Sequence, residues 1–329
     1  LVGQAALNMT DIDVFNGDAD GICALTQLRL AEPRAARLVT GIKRDIDLLT
    51  RVEAGAGDRV TVLDVSFDSN RAGVERLLGS GAEIFYVDHH HAGNIPQHAR
   101  LTTLINEAPE VCTSLLVNGW LKNRYREWAV VGAFGDNLAQ SARALAKPLD
   151  LDAARLDQLE QLGTCLNYNG YGESLADLHF PPDELFQLVS RHASPFGFMA
   201  EDREHFQRLA TGYTEDMART AALRPEAASS VTAALFMLPD AAWARRVSGV
   251  FSNDLVNQHP QRAHAVLTAK ADGTLLISVR APLNQRKGAD ALCRQFPTGG
   301  GRAAAAGINA LPADQLDKFT RTFLSHVWG

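Results

Sequence analysis

The sequence predicts a two-domain α/β protein, with a parallel sheet covered by helices on both faces followed by a smaller α/β domain. Three observations predict it. The first half alternates short β-branched or aromatic runs with helix-length segments, the pattern of strand–helix–strand units whose helices cover a parallel sheet. A long charged helical stretch then leads to a second series of strands and helices, which opens near Ser229. The chain has 329 residues, beyond the roughly 250–300 at which single cores stop growing.

Each element has a local reason. Ile12–Phe15 reads as a strand ending in a Gly- and Asp-rich turn, and Ile22–Leu30 as the helix after it. Leu38–Gly41 reads as a second strand and Val60–Val65, a β-branched run between polar residues, as a third. Ala72–Leu78 has helical spacing, and Glu83–Asp88 is the next strand. Residues 113–147 read as helical with an interruption at Gly132–Asn137, followed by helices over 151–162 and 183–193. Ala200–Leu223 reads as a connector helix, punctuated by Arg224-Pro225. Beyond it come a strand at Ala233–Leu238, a helix over Ala241–Asn257, and strands His264–Ala269 and Thr274–Arg280 around Asp272-Gly273, a hairpin signal. A helix over Ala289–Gln295, a glycine run and a last helix from Pro312 complete the chain. The expected division is 9–195, a helical connector 196–228, and 229–329. Residues 1–8 lack a signal-peptide pattern and read as an added remnant ahead of a natural start at Met9.

Composition excludes some functions. No apolar run approaches the roughly 18–20 residues a membrane helix needs, so the expectation is a cytoplasmic protein with no membrane partner. The formal charge of −6 argues against a duplex DNA track, because an acidic surface does not attract phosphate backbone. A small anionic substrate stays open, since a bound metal supplies local positive charge. Cys23, Cys112, Cys165 and Cys293 are scattered without a C-x-x-C pair, as expected of reduced thiols.

Polar clusters sit where an open parallel sheet places its ligands, beyond the carboxyl ends of the strands. Asp18 and Asp20 follow the first strand, Asp64 ends the third, Asp88, His89 and His90 end or follow the fourth, and Asp136 lies in the interruption of the helical region. Taken singly, an Asp-x-Asp is usually a turn or a helix cap and a His triplet a surface feature. Together on one side of one sheet, these carboxylates need a cation, because buried unpaired carboxylates cost several kcal/mol. Carboxylate oxygens with a histidine nitrogen suit hard divalent ions, manganese in particular. Two ions about 3.5–4 Å apart would activate a water between them and neutralise a phosphoryl oxygen.

The segments FNGDADGICA (Phe15–Ala24), VLDVSFD (Val62–Asp68), VDHHH (Val87–His91) and GAFGDN (Gly132–Asn137) resemble, in order and spacing, the four motifs of the DHH phosphoesterases over roughly residues 9–195. That family includes RecJ exonuclease, type II pyrophosphatases, nano-RNases and cyclic di-AMP phosphodiesterases. The resemblance implies two divalent ions, most readily Mn²⁺, with Mg²⁺ or Co²⁺ as alternatives. It implies that Asp18 binds the first ion and Asp20 the second, that Asp64 bridges, and that His89 and Asp136 complete the second. His90 would contact the scissile phosphate and Asp88 would orient the histidines. His91 lies beyond the motif and has no assigned role. Many members carry a His ligand four residues before the first Asp, where this chain has Val14. RecJ-like members carry an Asp two residues before it, where this chain has Asn16. Asn16 is therefore expected to hold a weaker first ion, directly or through water.

In the second half, Gly299, Gly300 and Gly301 precede Arg302. Glycines allow close backbone approach to an anion, and an Arg beside them can pair with phosphate or guanine. A loop leading into a helix is the ordinary alternative. GGGRAAAAG (Gly299–Gly307), with Ser278-Val279-Arg280 and Gly288-Ala289-Asp290, resembles the DHHA1 domain over roughly 229–329, although that family usually has His where Arg302 stands. The resemblance implies substrate binding by Arg280, Arg302 and Gly299 to Gly301. Asn167–Gly172 offers tyrosines that could stack on a base but reads more simply as a loop.

The resulting expectation is a phosphoric diester hydrolase that cuts short linear oligonucleotides, dinucleotides first, to mononucleotides, its length limit set by a cleft between the domains. A cyclic-dinucleotide phosphodiesterase is the nearest alternative. A pyrophosphatase or polyphosphatase and an inactive nucleotide-binding sensor stand further off. A homodimer is compatible with the sequence.

Overall fold

The structure, a computed structural model, describes residues 9–328; the segment 1–8 singled out above lies outside them. The chain divides into two compact units. One holds the chain up to Asn167 together with Phe180–Phe206, and the other holds Tyr168–His179 and the chain from Gln207 onward.

The first unit is built on β1 (Asp11–Phe15), α1 (Ala19–Ala31), β2 (Ala36–Val39), β3 (Arg59–Leu63), α2 (Phe67–Gly79), β4 (Glu83–Asp88) and β5 (Leu101–Ile105). The strands form one sheet in the order β2-β1-β3-β4-β5, and every neighbouring pair is parallel. Ile12, Val14, Val60, Val62, Ile84 and Tyr86 on one face pack against Leu48, Leu49, Val74 and Leu77, burial that drives the βαβ winding. Arg29 of α1 pairs with Asp13 of β1 through Nε (2.7 Å) and Nη2 (2.6 Å), pinning the helix to the strand it follows.

Helices complete this unit and lead into the next: α3 (Thr113–Trp120), α4 (Arg126–Gly135), α5 (Ala139–Ala146), α6 (Ala153–Asn169), α7 (Pro182–Val189), α8 (Pro195–Glu201) and α9 (Arg203–Thr220). The expected interruption at Gly132–Asn137 falls later, because α4 runs through Gly132–Gly135 and stops with Asp136 as its C-cap. A Cβ at Gly135 would lie 2.3 Å from the Ala19 Cβ, so glycine there serves the approach of α4 to α1. Strand β5 has no counterpart in the expectations. Its sequence LTTLI has no fully buried residue, and its place is decided by backbone pairing with β4 at the sheet edge. The stretch expected to be helical over Ala200–Leu223 is divided at Asp202 into α8 and α9.

The second unit contains β6 (Ala233–Leu238), α10 (Ala242–Gln258), β7 (Ala263–Ala269), β8 (Leu275–Arg280), α11 (Ala289–Cys293), β9 (Gly299–Gly301), β10 (Ala305–Leu311) and α12 (Leu316–Ser325). Its sheet runs β6-β7-β8-β10-β9. Only β6 and β7 are parallel; the remaining pairs are antiparallel. Alternate residues face two cores. Leu235, Leu267, Ile277 and Val279 pack with Leu292, Phe319 and Phe323, while Phe236, Leu238 and Val266 pack with Val247, Val250 and Phe251 of α10. The Asp272-Gly273 turn forms as expected, with Gly273 at φ +80° and Thr274 N–H donating to Asp272 Oδ1 at 2.9 Å.

The glycine run differs from the loop expected of it. Gly299–Gly301 forms edge strand β9, antiparallel to β10. A Cβ at Gly299 would sit 1.9 Å from the Cys293 carbonyl oxygen, whereas one at Gly300 would meet nothing within 4 Å. Close packing against α11 therefore explains Gly299 and leaves Gly300 without a packing reason.

Tyr168–His179 joins the second unit through polar contacts. The Tyr168 hydroxyl lies 2.5 Å from Asp216 Oδ2 and accepts from Arg246 Nε at 3.0 Å, and Arg245 Nη2 pairs with Asp177 Oδ1 at 2.8 Å. No helix among the described residues is long and apolar enough to cross a membrane. All four cysteines are buried and free.

Candidate metal centre

The strand registers bring the polar clusters together. Phe15 pairs with Leu63 and Leu63 with Val87, so residues just past the carboxyl ends of β1, β3 and β4 emerge side by side. Asp18 caps α1, its Oδ1 accepting from Asp20 N (3.0 Å) and Gly21 N (3.2 Å), which places the negative charge at the helix's positive end. Asp20 reaches the start of α3, its Oδ2 accepting from Thr113 N and its Oδ1 from Ser114 N, each at 2.7 Å. Asp64 follows β3 in the left-handed region at φ +57°, which costs a non-glycine residue of order 1–3 kcal/mol. That backbone turns its carboxylate toward His89 instead of continuing the strand.

His89 is the centre of this group. Its Nδ1 lies 2.7 Å from the Val111 carbonyl oxygen, so Nδ1 donates there and the Nε2 lone pair points away. Nε2 faces Asp64 Oδ1 at 3.2 Å, Asp20 Oδ2 at 3.8 Å and Asp136 Oδ2 at 3.9 Å. These groups are almost completely buried. A nitrogen lone pair and three ionised carboxylates in such a space need positive charge among them, supplied by a cation or by protons. Neutral imidazole and carboxylate oxygen are the donor set of Mn²⁺ and related ions, so Asp20, Asp64, His89 and Asp136 fit a divalent ion.

Electrostatics separate the acids. Burial, with the charges of Asp136 and Asp18, pushes the Asp20 carboxyl up to about 6. Burial, with Asp20 and Asp18 nearby, pushes Asp64 well above the usual carboxylate range. Burial acts in the same sense on Asp18, but the Lys43 ammonium holds it below its ordinary value.

Lys43 was not among the expected site residues, and it changes the Asp18 side of the centre. Its Nζ contacts Asp18 Oδ2 and donates to Asn167 Oδ1 at 2.9 Å. Asn16, expected as a ligand to the first ion, instead donates its Nδ2 to the Lys43 carbonyl oxygen at 3.1 Å. Its Oδ1 is buried without a hydrogen-bond partner. Val14 is fully buried among the apolar side chains of the sheet. Asp18 is thus paired with an ammonium, and Asn16 turns its amide to that lysine's backbone.

His90 Nδ1 lies 2.7 Å from Asp88 Oδ1, and Asp88 Oδ2 accepts from Phe67 N at 3.3 Å. Burial favours the neutral acid at Asp88, but the His90 and His89 imidazoles hold it below its ordinary value. As a carboxylate it fixes the His90 ring, which is partly exposed and 3.9 Å from Asp64 Oδ1. His91 points to the surface and meets Glu107 Oε2 at 3.0 Å.

No family model and no curated protein matches the sequence. Solved structures do match its fold. A manganese-bound exonuclease RecJ superposes with a TM-score of 0.60 at 18% identity, over 96% of this chain and 89% of that one. RecJ of Thermus thermophilus in complex with Mn²⁺ gives 0.53 at 18% identity, over 96% of this chain and 51% of that one. The pGpG-specific phosphodiesterase PggH of Vibrio cholerae gives 0.51 at 13% identity, over 96% and 98% of the two chains. The chain shares the fold of these structures. Within this fold, Asp20, Asp64, His89, His90 and Asp136 come together at the carboxyl ends of the parallel strands, and Asp18 beside them pairs with Lys43. No sequence signal marks Lys43, which sits in an ordinary Gly-Ile-Lys-Arg-Asp stretch.

The second unit presents its candidates differently. Arg280 is 9% exposed, and its guanidinium donates to Asn253 Oδ1 at 2.7 Å, to the Val279 carbonyl at 3.1 Å and to the Gly249 carbonyl at 3.4 Å. Arg302 lies in the turn between β9 and β10, its N–H donating to the Ala305 carbonyl at 2.9 Å. Tyr168 and Tyr171 are buried, so neither offers a face on which a base could stack.

Proposed function

We propose that this protein is a divalent-metal-dependent phosphodiesterase that hydrolyses short linear oligonucleotides, dinucleotides first, to mononucleotides. The observation that carries the reading is the His89 Nε2 lone pair facing Asp20, Asp64 and Asp136 while Nδ1 is committed to the Val111 carbonyl. Fold likeness to an exonuclease and to a pGpG-specific phosphodiesterase supports the choice of a phosphodiester substrate.

When bound, a divalent ion supplies Lewis-acid charge to a phosphoryl oxygen and makes an attacking water more acidic. Manganese is the first candidate, with magnesium and cobalt as alternatives. Asp20, Asp64, His89 and Asp136 would hold the ion. Asp88 keeps the proton on His90 Nδ1, so the far edge of that ring is presented to the phosphoryl group, where it stabilises charge that builds in the transition state. Arg280, Arg302 and the backbone of Gly299–Gly301 are assigned to substrate binding, with Arg280 held in place by Asn253. The net charge of −6 favours a small substrate over a polymer track.

The test is product analysis with Mn²⁺ and a panel of linear dinucleotides, cyclic dinucleotides, longer RNA and pyrophosphate. Linear dinucleotides should be consumed fastest. Turnover of cyclic dinucleotides alone would move the assignment to the cyclic substrates. Turnover of pyrophosphate alone, or tight nucleotide binding with no turnover, would reject it.

A further inference from the structure

We propose that the Lys43 ammonium takes the place of one of the two ions of the DHH fold, so that this chain holds a single divalent ion, bound by Asp20, Asp64, His89 and Asp136. The inference rests on the reading of this site as a metal centre, but it concerns the composition of the centre and its test needs no turnover.

Four observations converge on it. Both oxygens of Asp18 are engaged, Oδ1 by the N–H groups of Asp20 and Gly21 and Oδ2 by Lys43 Nζ. A second N–H of the ammonium is held by Asn167 Oδ1 at 2.9 Å, which fixes the side chain at two points. The Asn16 side chain fixes the same residue at its backbone, through Nδ2 and the Lys43 carbonyl. An aspartate at position 16 has no N–H to give that carbonyl and would repel it, so the amide and the lysine belong to one arrangement. Finally, among the described residues the acid and histidine groups with ligand atoms close enough to share an ion are Asp64 with His89 and His90, and Asp20 with His89 and Asp136. Asp18 belongs to neither.

The chemistry follows from charge and hydration. An ammonium is a compact cation that donates hydrogen bonds and accepts none. Held between Asp18 and Asn167, it supplies one positive charge beside the remaining ion and neutralises the Asp18 carboxylate. A dication a few ångströms from this ammonium would be repelled strongly in a buried site. Position 16 would also offer it a neutral amide oxygen, Asn16 Oδ1, in place of an acid. Lysine cannot acidify a water as a dication does, so the water to be activated belongs to the remaining ion.

Metal counting tests this directly. The full chain is stripped with EDTA, saturated with Mn²⁺, freed of excess ion, and examined by elemental analysis and electron paramagnetic resonance. One manganese per chain with the six-line spectrum of an isolated ion is expected. Two per chain with an exchange-coupled spectrum would overturn the inference and leave the proposed function standing. No bound manganese would remove the metal centre and the proposed function with it. The double variant Asn16→Asp, Lys43→Met should gain a second, coupled manganese. A count of one in that variant, with native circular dichroism, would show that Lys43 is not what keeps the second ion out. If the variant does not fold, the wild-type count and spectrum decide alone.

Discussion

Nε2 of His89 lies 3.2 Å from Oδ1 of Asp64, a separation that leaves no room for a water between them. Their common purpose should show in metal affinity. His89→Gln or Asp64→Asn is expected to weaken Mn²⁺ binding by more than the roughly 10–100-fold that loss of an outer partner costs. Calorimetric titration measures it, and unchanged affinity in a folded variant would remove these residues from the centre.

Asp88 touches His90 and the Phe67 N–H, not the carboxylates around His89. Asp88→Asn should therefore lower kcat about 10–100-fold, the range for a partner that orients a working side chain, with a much smaller effect on manganese affinity. Equal loss in both would mean that Asp88 acts on the ion and not on His90.

Removing the metal should matter more at neutral than at acid pH. In the metal-free fold Asp20 titrates at about 6 instead of 3.8. The folded state then binds its proton more tightly than the unfolded chain does, so the metal-free protein loses stability as pH rises through that window. A divalent ion takes the proton's place above it. The rise in Tm on adding Mn²⁺ should be larger at about pH 7.5 than at about pH 5.5, as read by thermal melts with and without EDTA; equal rises at the two values would contradict the account.

Gly299 and Gly300 should behave differently although they are neighbours. Gly299→Ala puts a Cβ 1.9 Å from the Cys293 carbonyl oxygen and should cost about 1–3 kcal/mol, the usual range for overpacking. Gly300→Ala meets nothing within 4 Å and should leave stability nearly unchanged. Urea denaturation of both variants checks this. A loss of substrate affinity confined to Gly300→Ala would favour an anion-binding backbone at β9.

His264 gives the second unit an acid sensitivity. The ring is completely buried in β7, and neither nitrogen has a hydrogen-bond partner. Burial, with the Arg262 charge, lowers it from 6.5 to about 4. The unfolded chain therefore binds this proton more readily, and stability falls as pH drops from about 6.5 toward 4. The loss amounts to about 3 kcal/mol, at about 1.36 kcal/mol per unit. His264→Phe should flatten that part of the pH–stability curve; a curve of unaltered slope would place the acid sensitivity elsewhere.

The two-unit α/β architecture was legible because strands β1, β3, β4, β6, β7 and β8 are apolar runs of strand length, and burial is what such runs record. Strands β5, β9 and β10 were not. β5 and β9 are edge strands held by backbone hydrogen bonds, which any side chain permits, so their sequences carry little trace of the pairing. β10 lies inside the sheet but is an alanine- and glycine-rich run (AAGINAL) without the β-branched pattern of a strand. The DHH-like motifs marked Asp18, Asp20, Asp64, His89 and Asp136 as one group, and the structure brings the last four of these together at His89 Nε2.

By itself, the sequence determined which residues are available as ligands and on which strand ends they fall, because a strand-end motif is local. Only the tertiary structure decided that Asp18 faces Lys43 and that Asn16 turns its amide to the lysine's backbone. Those contacts join segments far apart in the chain. Electrostatic pairing depends on distance through space, and the amino-acid order does not record that distance.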